Sequence, residues 1–134
     1  VKQVLLIEPD YLLADVYKQA LETEDIRVAV AYSAQSAIFE ADKKTPDLVV
    51  LEIQLTEHSG IEFLYEFRSY QEWQAIPVIV QSQVPPAEFN HSWQILKEEL
   101  GVETYLYKPH TSIRALVNKV KEVSLDKTRE TAFN

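Results

Sequence analysis

A chain of 134 residues, 46% hydrophobic and 25% charged, is long enough to bury its own core and too apolar to stay disordered. Its net charge of −8 excludes non-specific nucleic-acid binding, which needs clustered positive charge, and the absence of cysteine excludes disulfides, thiolate zinc sites and a cysteine nucleophile. No apolar run approaches the ~20 residues that span a bilayer and no signal-peptide pattern opens the chain, so a cytoplasmic protein is expected.

Five short apolar runs, at residues 4–7, 28–31, 48–51, 78–80 and 105–107, read as strands, and stretches of helical period lie between them. Leu12, Leu13, Val16, Tyr17, Ala20 and Leu21 share one face of a first helix. Ala34, Ala37, Ile38 and Ala41 mark a second, with Ser33 as its N-cap. Gly60 opens a third, carrying Ile61, Leu64 and Phe67 and fading before Pro77. Phe89, Trp93, Leu96 and Leu100 form a regular stripe for a fourth, stopped by Gly101, and Ile95 lies off that stripe. Ile113, Leu116, Val117 and Val120 give a fifth, which runs out into a polar tail. Strand–helix alternation repeated five times predicts a doubly wound α/β domain, with right-handed crossovers and helices on both faces of a parallel sheet. Val1 stands where an initiator methionine would, as in a processed or excised chain.

In open α/β sheets, ligand chemistry collects beyond the carboxyl ends of the strands. In chain order those ends hold Glu8-Pro9-Asp10, Glu52, Ser82 and Lys108-Pro109. Each is weak by itself; the ordered set is specific. The segment after the first strand lacks the glycines of a nucleotide loop, and His58, His91 and His110 lack the clustering of a metal site. No serine–histidine–acid arrangement stands at the strand ends either.

This set resembles the response-regulator receiver domains of two-component signalling, over about residues 2–124. The resemblance implies a flavodoxin-like (βα)5 three-layer sandwich with strand order 2-1-3-4-5. The receiver-like domain would take up residues 1–124, leaving 125–134 as a tail or linker remnant. Glu52 falls where the family has its phosphoacceptor aspartate. Glu8 matches the first acid of the pair that helps hold Mg²⁺, but the second falls on Pro9. Asp10 is open to two readings, a substitute ligand reached by a shift of the loop or the N-cap of the first helix, and the cap carries more weight. The Mg²⁺ candidates are therefore Glu8, Asp10 and Glu52. Ser82 matches the hydroxyl that contacts phosphoryl oxygen, and Gln83 stands where the family has a small residue and would crowd an incoming donor. Lys108 matches the phosphate-pairing lysine, Pro109 the proline after it that is commonly cis, and Tyr105 the aromatic that rotates on switching. Alternating Tyr105 and Tyr107 on a strand are, however, more often packing residues, since aromatics favour strands. Pro85-Pro86 would stiffen the loop after the fourth strand.

Three departures, Pro9, Glu52 and Gln83, act on one pocket. The resulting expectation is a pseudo-receiver, not an enzyme, that signals inside the cell through protein contacts made by the fourth helix, fifth strand and fifth helix, with an output partner or a second copy. Glu52 then either mimics a phosphorylated state or simply pairs with Lys108, and the two readings stand level. Two rivals remain: a competent receiver taking phosphoryl from a histidine kinase, and a small-molecule domain that has repurposed the pocket. Neither nucleic acid nor membrane is expected as a direct partner.

Overall fold

The computed structural model describes the backbone of residues 2–133 and the side chains of residues 2–124. Its regular elements are β1 (Lys2–Ile7), α1 (Tyr11–Glu22), β2 (Ile26–Ala31), α2 (Ala34–Lys43), β3 (Leu48–Leu51), α3 (Gly60–Ser69), β4 (Val78–Ser82), β5 (Val102–Tyr107) and α4 (Ile113–Phe133). The strands form one parallel sheet in the order β2-β1-β3-β4-β5. Parallel strands covered on both faces must be apolar throughout, which is why β3 reads Leu-Val-Val-Leu without alternation and is wholly buried.

Alternate strand residues feed two cores. Leu5, Ile7, Val49 and Leu51 face α2, α3 and the segment between β4 and β5, where Phe63, Phe67 and Leu96 close the layer. Val4, Leu6, Leu48 and Val50 face the opposite layer, built by Ala14, Tyr17 and Leu21 of α1 and Leu116, Val117 and Val120 of α4.

The helix starts follow the sequence closely. The Asp10 carboxylate accepts from Leu12 N–H at 3.0 Å and Leu13 N–H at 3.1 Å, so it is the N-cap of α1. Ser33 caps α2, and Ser59 with Glu62 forms a reciprocal capping box at α3. Asp10→Ala is expected to lower stability by about 1 kcal/mol through loss of that cap, measured as a shift in the urea unfolding midpoint.

The fourth helix departs from expectation. Instead of one regular α-helix over the Phe89–Leu100 stripe, the chain makes a 3₁₀ turn at Pro86–Phe89, a further turn, and a π-helical stretch at Ile95–Glu99. The stripe still points inward: Leu96 and Leu100 are buried, and Phe89 and Trp93 pack on the same cluster. Pro86 favours a tight first turn, and the chain goes on in turns closed by Asn90 N–H on Ala87 C=O at 3.2 Å and Ser92 N–H on Phe89 C=O at 3.0 Å. The wide turn closed by Leu100 N–H on Ile95 C=O, at 3.0 Å, then brings both leucines to the core. Gly101, at φ +68°, ends it.

Arg68, in the last turn of α3, braces this segment. It donates through Nε to Leu100 C=O at 2.9 Å and through Nη1 to Trp73 C=O at 2.7 Å. The backbone of α4 continues through Phe133, across residues expected as a tail. The side chains from residue 125 onward, and Asn134, lie outside the described residues. Among the described residues, no helix is long and apolar enough to cross a membrane.

Candidate functional site at the carboxyl edge of the sheet

Four strand ends converge because the strands are in register. Glu52 N–H bonds Ile7 C=O at 2.9 Å and Glu8 N–H bonds Ala31 C=O at 3.0 Å, each carrying its strand's pairing one residue further. Gly60 sets how closely α3 approaches this edge. Its N–H donates to Ile53 C=O at 2.7 Å, and a Cβ at position 60 would stand 2.6 Å from the Ile53 Cα. Only glycine allows that contact.

Glu52 is the centre of the site. One carboxylate oxygen, Oε1, accepts from Lys108 Nζ at 2.7 Å and from Gln83 N–H at 3.1 Å. The other, Oε2, accepts from Gln54 N–H at 2.9 Å and from the Ser82 hydroxyl. Four donors therefore surround one buried carboxylate, which is the condition for holding a charge away from water. The two backbone donors, on Gln54 and Gln83, were not visible in the sequence, because an amide N–H leaves no residue signature. Gln83 was expected to crowd the pocket with its side chain. That side chain is exposed, and its contribution to the carboxylate is its backbone N–H.

Lys108 joins two acids. Its Nζ lies 2.6 Å from Glu8 Oε1 and 2.7 Å from Glu52 Oε1, with the lysine side chain 8% exposed and each glutamate 3%. The remaining Glu8 oxygen accepts Asp10 N–H at 3.1 Å. Burial works against the ammonium, but the hydrogen bonds and charges of Glu52 and Glu8 outweigh it and raise Lys108 above the ordinary lysine range.

These donors do not fit the divalent cation that the resemblance implies. Mg²⁺ takes near-octahedral oxygen coordination, usually one or two carboxylates plus water. Pro9 offers no oxygen ligand from its side chain, and the Asp10 carboxylate is turned to the amides of α1. Glu8 and Glu52 direct their facing oxygens at the Lys108 ammonium, so the cation between them is a lysine. Among the described residues, no group of three His, Cys, Asp or Glu side chains is arranged to hold a metal. Of the three Mg²⁺ candidates, Glu8 and Glu52 are thus joined through Lys108, while the Asp10 carboxylate is taken by the cap of α1.

A chain of hydrogen bonds leaves the pocket through β4. The Ser82 hydroxyl donates to Glu52 and accepts Val84 N–H at 3.0 Å, and the Tyr105 hydroxyl donates to Val84 C=O at 2.6 Å. The Tyr105 ring is half-buried against Phe89 and Trp93. Pro109 lies in a 3₁₀ turn, Lys108–His110, and its peptide bond is trans rather than the cis form common in the family. His58 is exposed and lies 3.7 Å from Glu62.

Burial also pushes the Tyr17 and Tyr105 hydroxyls above the usual tyrosine range. All three raised groups, Lys108 included, bind their protons more tightly folded than unfolded. Their stabilisation is complete below about pH 10, the range of the free side chains, and is lost as the pH rises through the folded values. Urea unfolding is expected to show a midpoint that holds from pH 7 to 9 and falls steadily above about pH 10, with a shallower fall in Lys108→Met.

Comparison with known proteins gives one consistent answer. The KDP operon transcriptional regulatory protein KdpE of Escherichia coli is 35% identical over 106 residues, which cover 79% of this chain and 44% of that protein. The chain spans about half the length of the curated relatives it matches, 53% for a probable transcriptional regulatory protein, TcrX, of Mycobacterium tuberculosis. A CheY-like receiver domain protein from Methanospirillum hungatei shares the fold, with a TM-score of 0.84 at 23% identity over 97% of this chain and 98% of that one. The receiver domain of the Francisella response regulator 1452 aligns with a TM-score of 0.80 at 26% identity, over 95% of this chain and 99% of that one. The model of the response regulator receiver domain matches residues 4–121, and with the parallel sheet and its charged carboxyl edge this places the chain in that family.

Proposed function

We propose that this domain is a phosphorylation-independent receiver, a signalling module whose pocket is held in one state by Glu52 itself. The observation that carries this is the complete use of the Glu52 carboxylate: Ser82, Lys108 and the N–H groups of Gln54 and Gln83 all donate to it. An incoming phosphoryl group would need those same donors, and phosphoryl transfer depends almost wholly on positioning and charge stabilisation. The burial of the carboxylate and a lysine as its neighbouring cation support this reading over a metal-assisted acceptor. Glu52 acts here as a standing anion that keeps Ser82 and Tyr105 drawn toward the pocket. The ion pair with Lys108 and the imitation of a phosphorylated group are then one arrangement.

In this reading the domain works in the cytoplasm by protein contact, performs no catalysis, needs no Mg²⁺ and takes no phosphoryl group from a histidine kinase. The hydrogen-bonded chain from Glu52 ends at Tyr105 on β5, beside the irregular segment where Ile95 is 40% exposed. That face, with α4, is the proposed surface for an output partner.

Incubation with acetyl phosphate and Mg²⁺, followed by mass spectrometry, tests the proposal. The unaltered protein is expected to stay unmodified, while the Pro9→Asp/Glu52→Asp double variant, which restores both acids, gains a phosphoryl group. Modification of Glu52 in the unaltered protein to a similar extent would overturn it.

A further inference from the structure

A groove of about 850 Å³ runs between α2 and α3, on the helical layer rather than at the sheet edge. Its walls include Ile38, Phe39, Phe63 and Tyr70, and two of these rings are left in water: Phe39 is 63% exposed and Tyr70 40%. Asp42, Glu62 and Glu66 also line it, and the one basic side chain among the lining residues is His58, set against Glu62. Lys43 stands at the margin with its Nζ 5.2 Å from the Phe39 ring centre and 3.3 Å from a Glu40 oxygen. The ring thus already receives an ammonium, and that ammonium is neutralised by its own neighbour.

We propose that this groove docks a basic amphipathic helix from a partner protein. Two ten-residue helices flank it, each about 15 Å long, which matches two to three turns of a docked helix. Apolar residues of that helix seat on Ile38, Phe39 and Tyr70, and its lysines or arginines meet Asp42, Glu62 and Glu66. A second copy of this chain is disfavoured as the occupant, because a symmetric contact would set one acidic lining against the other in a protein of net charge −8. Nucleic acid is disfavoured by the same charges. The inference does not depend on how Glu52 is read.

The probe is a synthetic helical peptide of leucine, phenylalanine and lysine, about 14 residues long, titrated into the ¹⁵N-labelled full chain and followed by NMR. Shifts are expected on α2 and α3, with affinity falling as salt rises. Asp42→Lys/Glu66→Lys and Phe39→Ser, all at exposed positions, are expected to weaken binding at least about tenfold. Asp15→Lys/Glu22→Lys makes the same charge change on exposed positions of α1 and is expected to change affinity less than about threefold. Equal weakening by the α1 variant would reduce the effect to bulk charge and overturn the proposal. So would shifts mapping to another face, or binding of tetramethylammonium in the groove without binding of the peptide, which would make it a small-cation site.

Discussion

Lys108→Met is expected to lower the free energy of unfolding by about 3–5 kcal/mol, measured by urea denaturation near neutral pH. The loss is large because the lysine is the shared counter-ion of two buried carboxylates, at 2.6 and 2.7 Å. Removing it leaves two like charges facing each other away from water, and the penalty belongs to the abandoned acids rather than to the vanished bond. The corresponding control is Lys108→Met/Glu8→Gln/Glu52→Gln. Removing all three charges is expected to recover most of the lost stability, since an absent ion triad needs no compensation. If the triple variant is no more stable than Lys108→Met, the destabilisation comes from lost packing of the lysine stem.

The second large effect is Gly60→Ala, expected to destabilise by about 3 kcal/mol in the same assay. The new Cβ would fall 2.6 Å from the Ile53 Cα and 3.1 Å from the Glu52 carbonyl oxygen. Both are backbone atoms, so no side-chain rotation relieves the clash and either α3 or the end of β3 must move. A shift of β3 would also move Glu52 against Ser82 and Lys108, so the variant is expected to lose part of the alkaline dependence along with stability. Gly101 offers the contrast. A Cβ there meets the guanidinium of Arg68, the far end of a flexible side chain, and the difficulty is mainly the left-handed backbone.

Much of the site was legible from residue order. In a parallel α/β sheet the first polar residues after each apolar run must emerge at the same edge, so Glu8, Glu52, Ser82 and Lys108 could be grouped without coordinates. Asp10 was legible for a different reason. A short acid immediately before a helical run meets the free amides of the first turn, and this local chemistry outweighed its candidacy as a metal ligand. The fourth helix was legible only as a set of buried positions. Phe89, Trp93, Leu96 and Leu100 have helical spacing, and spacing reports which side chains face the core, not how the backbone between them is wound. Arg68 gave no signal at all, because its partners are carbonyl groups of residues 73, 74, 100 and 101, brought to it by folding.

The sequence by itself determined the sheet, its two helical layers and the identities of the charged groups at its edge, because apolar period and strand ends are local properties. It left Glu52 between an ion pair and an imitation of phosphate. The tertiary structure decided how that carboxylate is used: a backbone amide of its own loop, and a hydroxyl, a second amide and an ammonium from two other strand ends, surround it, and the same ammonium also holds Glu8. Only folding could decide this. The hydrogen bonding of a buried acid depends on the donors that packing brings within ~3 Å, and the positions of those from β4 and β5 are set by strand register, not by their places along the chain.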